Sequence, residues 1–532
     1  ARPIRWLVAI YGDKRIDLHI ENIKSANYTF GHRFLSLGPV GISNVNDYFR
    51  MLEDSFVILD QQKRKTMIWE QVQEAARKAG GKPMGNEELL EEINFLVEYP
   101  TAFYGQFSSS YLDVPPEVLT TSMIEHQRYF PVYDEEGKLL PGFIGVRNGT
   151  GFSLDVVKAG NERVLRARLE DALFFWKEDI KKPLAEMVAG LKDVLFHERL
   201  GTIMDKVERL QKLAVYIGRE NNISDEKSLM RAAYLCKADL LSSMVYEFPE
   251  LQGIMGRYYA LQSKEDQEVS DAILEHYLPR FAGDSLPATP TGKVLSLAEK
   301  MDNLVGCFCI GIKPSSSQDP YALRRQAMGI VNILLDSGIS MDLVAVLGQA
   351  YDNFAPIKPD ISRDDTVNEV LEFIRQRLRG VLLDKGYSYD VVDAVLFLPG
   401  SDLNDILLRV SCLQEFKDAE SFESFMVVYN RSNNLSKKWE NDMVDYGVLV
   451  DDSEKELYQS LTQIHEKTDK ALQLKDYRQA LNLLAGLRPQ LDKFFAAVMV
   501  MVNDEKLKNS RLGILKQIAN ICNEIADFSK IV

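Results

Sequence analysis

From Arg5 to about Gly149 the apolar positions follow two rhythms. Short alternating runs read as strands, and runs repeating every three or four residues read as helices. IRWLVAIYG and IDLHI are strand-like about a Gly12-Asp13-Lys14 turn; SFVILD and then helices follow. One helix is predicted over Arg64–Ala79. A second is predicted over Glu87–Glu98, with Leu89, Ile93, Leu96 and Val97 on one face and Pro100 closing it. A further helix starts at Pro116, which suits a first turn, and runs into SMIEHQRYFPV. PVYDEEGKLLPGFIGV reads as two short strands around Glu136-Gly137.

After Gly151 the pattern turns helical. Leu165, Leu169, Leu173 and Trp176 form a stripe at spacings of four, four and three. The helical block runs on through His197, Asp239 and Asp302, broken by the loops GDSLPATPTG and KPSSSQDP. In the last part Ser453 and Glu456 form an S-x-x-E capping box ahead of a stripe of Leu457, Leu461 and Ile464. The expected architecture is multidomain and mainly α: a mixed α/β domain over 1–152, a helical domain over 153–342 and a second helical domain over 343–532.

Length and composition agree with this reading, since 532 residues with 46% hydrophobic content can bury several cores. No run approaches the roughly 20 apolar residues of a membrane span, and no signal segment opens the chain, so cytoplasmic location is expected. Five cysteines without CxxC spacing argue against a disulfide framework or a zinc ribbon. The net charge of −15 excludes a generally basic nucleic-acid coat but leaves room for a local basic stripe.

Candidate chemistry is sparse. His126, Gln127, Arg128 and Tyr129 lack a nucleophile at useful spacing and read as packing or contact residues. Arg163, Arg166 and Arg168 share a helix with Glu162 and Glu170, and either ion pairing or phosphate binding fits them. His197, Ala238-Asp239 and Glu299 fall in the order of the H…HD…D metal pattern of HD-domain phosphohydrolases, as a degraded copy of it. Ala238 stands where the paired His belongs, and Lys237 would repel a cation. Asp239 and Glu247, eight apart, share a face if their helix is unbroken. No metal and no catalytic residue is therefore expected.

Basic residues gather elsewhere. Arg324 and Arg325 follow the Ser-rich loop, and Arg375, Arg377, Arg379, Arg431, Lys437, Lys438, Lys506, Lys508 and Arg511 lie on the C-terminal helices, with Tyr429 and Trp439 interleaved. Helices of this kind can follow RNA phosphates while aromatic rings stack on bases. No HIGH, KMSKS, class II arginine motif or P-loop is present, so the chain is not expected to form an aminoacyl adenylate alone.

Several strings carry a resemblance: KADLLSSMVYEFPELQGIMGRYYA (Lys237–Ala260), GNERVLRARLEDALFFWKED (Gly160–Asp179), HYLPRFAGDSLP (His276–Pro287) and QDPYALRR (Gln318–Arg325). RPIRWLVA (Arg2–Ala9), GHRFL (Gly31–Leu35), EHQRYFPV (Glu125–Val132) and FFAAVMVMVNDEKLKNSRLGIL (Phe494–Leu515) extend it. In this order they resemble the β subunit of bacterial heterotetrameric glycyl-tRNA synthetase, through nearly the whole chain. VVYNRSNNLSKK resembles the helical anticodon-binding domain shared with arginyl-tRNA synthetase, although the first basic position of its KRVxNI motif is Asn430 here.

The resemblance implies a B3/B4-like first domain, an HD-like centre and a C-terminal anticodon-binding domain. It also implies an α subunit partner in an α2β2 heterotetramer, tRNA-Gly as the bound RNA, and ATP and Mg2+ held by α rather than by this chain. An opening Ala1 in place of Met reads as N-terminal truncation. The alternatives from the residues alone are an HD-type metal-dependent phosphohydrolase and a non-catalytic scaffold.

Overall fold

In the computed structural model, residues 4–315 and 318–532 are described; Arg2 and Pro3 of the first quoted string, and Ser316 and Ser317 of the Ser-rich loop, lie outside them. The chain divides into two compact units, one of residues 1–183 with 240–262 and one of residues 184–239 with 263–532.

The first unit is built on a four-stranded antiparallel sheet in the spatial order Lys82–Pro83, Phe130–Tyr133, Leu139–Asn148, Pro100–Gln106. The hairpin predicted around Glu136-Gly137 is its centre, with Gly137 at φ +79° in the turn. Helices Gln61–Lys78 and Glu87–Leu96 cover one face, joining Ile68, Val72, Leu89 and Ile93 to Phe130, Val132 and Ile144 of the sheet. The first of these helices starts before Arg64 because the Asp60 carboxylate caps the backbone N–H groups of Gln62 and Lys63. Leu96, expected on the buried face of the second, is 60% exposed, and Pro100 opens a strand instead of merely closing a helix.

N-terminal to this sheet lie smaller ones: a three-stranded sheet of Leu7–Val8, Ile23–Ala26 and His19–Ile20, and two short hairpins. The tight turn at Gly12-Asp13 links Ile10–Tyr11 to Lys14–Arg15, with Gly12 at φ +61°, a conformation that costs glycine little. The predicted Pro116 helix forms over Pro116–Thr121 and passes into a π-helical turn at Ser122–His126.

The long helix Leu154–Asp179 buries Leu165, Leu169 and Trp176 of the predicted stripe and leaves its Leu173 half-buried. Its last residue holds segment 240–262 in this unit. The buried Asp179 carboxylate accepts the backbone N–H groups of Ser243 and Met244, both at 2.9 Å, and the Tyr259 hydroxyl at 2.8 Å. Asp179→Ala leaves three donors without this acceptor and is expected to destabilise the unit by about 2–3 kcal/mol, measured by urea unfolding.

The second unit is helical. Helix Pro290–Cys309 is buried almost all round, and helices Ile203–Asn221, Gln267–Glu275 and Leu323–Ser337 pack on it. A helix apolar on every side belongs in a core, so its internal charges need partners. Toward the C-terminus, helix Phe422–Ser436 packs on Glu505–Asn523, with Phe425, Tyr429 and Phe528 in the seam.

Helix Asp452–Gln473 has its capping box two residues earlier than predicted, with Asp451 and Glu454 in place of Ser453 and Glu456. Mainly helical structure with small N-terminal sheets is thus the observed architecture. No helix among the described residues is long and apolar enough to cross a membrane.

Candidate functional site

Two places concentrate charge in the helical unit. The first is interior. Lys206 and Arg209, three apart on helix Ile203–Asn221, face Asp302 on helix Pro290–Cys309. Asp302 accepts Lys206 Nζ at 3.0 Å and Arg209 Nε at 2.8 Å, and all three are almost fully buried. One turn back, Glu299 Oε1 lies 3.4 Å from Lys206 Nζ and 3.3 Å from Lys237 Nζ. Burial pushes the Glu299 carboxyl up, but Lys206 and Lys237 outweigh it and hold the group well below the usual carboxylate range.

Lys237 also sits 4.1 Å over the Tyr277 ring, and Asp239 is buried beside it in a short 3-10 turn. That turn breaks the helix on which Asp239 and Glu247 were expected to share a face. Glu247 ends a separate helix in the other unit and pairs with Arg168. His197 ends the short strand Leu195–His197. Its neighbour Phe196 lies 4.7 Å from Lys206 Nζ, whereas His197 contacts the Tyr321 ring and its Nδ1 accepts the Arg199 N–H. The structure thus brings Lys237 and Glu299 together, with Asp239 two residues beyond Lys237, and turns His197 toward Tyr321.

Lys206, Arg209 and His276 were not singled out from sequence. The available signal was a lysine at 206 between the core-facing Ile203, Val207 and Leu210. The metal ions that the alternative HD-type hydrolase reading needs do not fit this centre. Among the described residues no group of three or more His, Cys, Asp or Glu side chains could hold a metal ion, and ammonium groups stand against the carboxylates.

Lys300 lies next to this centre with a different surrounding. Its Nζ donates to Leu278 O and Ser296 Oγ, both at 2.7 Å, and its stem crosses Gly329, where a Cβ would lie 2.7 Å from Lys300 Cε. Burial pulls its ammonium down to about 7, with Glu299 opposing and Lys237 adding to the fall. Between about pH 7 and about pH 10 the unfolded chain therefore holds a proton that the folded chain lacks, so this group makes stability rise with pH there. Lys300→Met is expected to flatten that rise, read as the urea midpoint at pH 7 and pH 9.

The second place is the basic surface of the C-terminal helices. Lys437 and Lys438 follow helix Phe422–Ser436 and are exposed, without an ion-pair partner among the described residues, and Trp439 is half-buried beside them. Arg431 is exposed and paired with Asp492 at 2.6 Å. Lys508 pairs with Glu505, and Arg379 makes a two-pronged bond to Asp393. Arg325 is exposed and donates to Arg280 O at 3.0 Å, whereas Arg324 turns back to Ser315 O. Arg377 lies over the Phe373 ring at 4.9 Å.

Three residues expected at an RNA surface are interior framework as placed. Tyr429 is 1% exposed, with its ring 5.4 Å from that of Phe528, so it is not presented for base stacking. Arg375 donates to Leu396 O, Leu398 O and Gly400 O, tying down the end of helix Tyr389–Leu396. Arg511 is buried against Glu454 and donates to Met499 O at 2.7 Å.

Residues 1–397 match the family described as glycyl-tRNA synthetase beta subunit, and residues 426–528 match the DALR anticodon binding domain. The chain is 66% identical to the glycine–tRNA ligase beta subunit of Syntrophomonas wolfei, over all 532 residues and 77% of that relative's length. It is 48% identical to the protein of that name from Desulforamulus reducens and 47% to that from Clostridioides difficile, again covering 77% of each. With a family match over most of its length and relatives this similar from end to end, the chain belongs to the glycyl-tRNA synthetase beta subunit family.

Proposed function

We propose that this chain is the tRNA-binding subunit of a glycine–tRNA ligase, acting as part of a complex in which the adenylating site lies on an α subunit. The observation that carries the reading is the anticodon-binding match over residues 426–528, on a helical bundle that leaves Lys437 and Lys438 exposed and without an ion-pair partner among the described residues. Exposed, mobile ammonium groups are what phosphate contacts use, since each contact releases condensed counterions.

The chemistry of this role is positional. Holding tRNA-Gly by its anticodon side, with the 3′ end near a glycyl adenylate on the partner, makes acyl transfer nearly unimolecular, an effect that can supply several kcal/mol. Glycine, ATP and Mg2+ are then ligands of the partner, consistent with an α2β2 assembly in the cytoplasm. An HD-type hydrolase is not favoured, because Lys206 and Lys237 face the carboxylates that would hold its metal.

ATP–pyrophosphate exchange tests the assignment. The chain alone is expected to support none, and the α subunit with glycine to support it. Transfer to tRNA-Gly is expected only when the β chain is added to α. Glycine-dependent exchange by this chain alone would overturn the reading.

A further inference from the structure

Around Lys237 the interior keeps the outline of a cation-binding pocket. Among the described residues, three buried polar atoms have no hydrogen-bond partner there: His276 Nε2, the Tyr277 hydroxyl and Glu299 Oε2. Glu299 and Tyr277 both contact one ammonium group, and the His276 ring packs on that of Tyr277. Lys237 Nζ is 3.3 Å from Glu299 Oε1 and 4.1 Å from the centre of the Tyr277 ring, and the His276 and Tyr277 rings are 3.9 Å apart.

The state of His276 is set by its other nitrogen. Nδ1 lies 2.7 Å from Ile273 O, and a carbonyl only accepts, so Nδ1 carries the hydrogen and Nε2 presents a lone pair. A ring hydrogen-bonded through one nitrogen to a backbone carbonyl, with the other bare beside a carboxylate, is how metal-binding histidines are oriented. Here the positive charge at the centre is covalent. Besides Lys237, the charged and titratable groups around Glu299 and His276 are Lys206, Lys300, Tyr277, Cys236 and the buried Asp239.

We propose that the Lys237 ammonium stands in for a divalent cation, so that the pocket is a metal site made metal-independent by one tethered charge. Removing that charge without filling its space opens His276 Nε2 and the Glu299 carboxylate to an external ion. An imidazole with a carboxylate in a dry pocket suits a borderline ion such as Zn2+ or Co2+. The proposal does not depend on the tRNA reading.

The test compares the whole chain with Lys237→Ala and Lys237→His by thermal unfolding, each with EDTA, Zn2+ or Co2+, and by metal content after dialysis. The wild type is expected to retain no metal and to melt at one temperature in all conditions. Both variants are expected to melt lower with EDTA and to recover by about 5 °C with excess Zn2+. Co2+ is expected to give visible absorption, and adding His276→Ala to Lys237→Ala is expected to abolish the recovery.

Folded variants that ignore both ions would overturn the proposal, as would a wild type that retains stoichiometric metal and melts lower in EDTA. Should neither variant accumulate, Lys237→Met keeps the stem volume and drops the charge. It is expected to melt below wild type without any metal response, and a melting temperature equal to or above wild type would overturn the proposal.

Discussion

Asp302→Ala is expected to destabilise the helical unit by about 3–5 kcal/mol, the usual cost of breaking a buried ion pair from one side. Asp302 is 1% exposed and is the shared acceptor of Lys206 and Arg209. Without it Arg209 keeps the Leu200 carbonyl at 3.2 Å and the face of Phe354 at 4.2 Å. Lys206 keeps Asn303 at 2.6 Å and Glu299 at 3.4 Å. The buried Arg209 then has lost its ion-pair partner in a medium that screens its charge poorly, and Lys206 shares Glu299 with Lys237.

Replacing all three residues by apolar ones of similar volume is expected to recover much of that loss, because the desolvation cost of the ions disappears with them. Urea unfolding of the single and triple variants measures both. A single variant within about 1 kcal/mol of wild type would show that the cluster is not the electrostatic anchor its geometry indicates.

The second large effect is on RNA. Lys437→Glu with Lys438→Glu is expected to weaken tRNA-Gly binding about tenfold or more at low salt and to reduce the slope of log K against log salt by about two. The two side chains are exposed and pair with no carboxylate among the described residues, so their removal leaves nothing buried behind. Reversal of Arg431, tied to Asp492, is expected to act more weakly because its charge is already partly answered. Equal effects of reversing surface lysines on the first unit would place the RNA elsewhere. Arg511→Ala is the contrasting control, since the loss it causes should appear in unfolding, Arg511 being buried on Glu454.

How far the sequence could be read follows from which interactions are local. The hairpin at Glu136-Gly137, the Leu165–Trp176 stripe and the Pro116 start depend on neighbours a few residues away, and the structure has them. The capping box at the start of helix Asp452–Gln473 shows the limit. Asp451 with Glu454 and Ser453 with Glu456 are both acceptable boxes two residues apart. The choice is made by Arg511, distant in sequence, which buries Glu454 while its other oxygen accepts the Val450 and Asp451 N–H groups.

Basic residues were the least legible for the same reason. Arg375, Arg511 and exposed Lys438 look alike in a string, yet Arg375 spends its donors on three backbone carbonyls. Tyr429 beside Arg431 matched an RNA-stacking pattern, but one helical step separates a core face from a solvent face, and it took the core. The absent histidine before Asp239 was visible in the sequence. That Lys206, from a helix some thirty residues earlier, and Lys237 both reach Glu299 was not, because it depends on how the helices pack.

The central claim is that this chain recognises tRNA for a glycine–tRNA ligase. It is tested most directly by the affinity of tRNA-Gly and of one non-glycine tRNA at two salt concentrations, with and without the α subunit. The expected result is salt-sensitive binding that prefers tRNA-Gly, to the chain or to its complex with α. No binding of tRNA-Gly by the complex, or equal binding of both tRNAs at either salt, would contradict it.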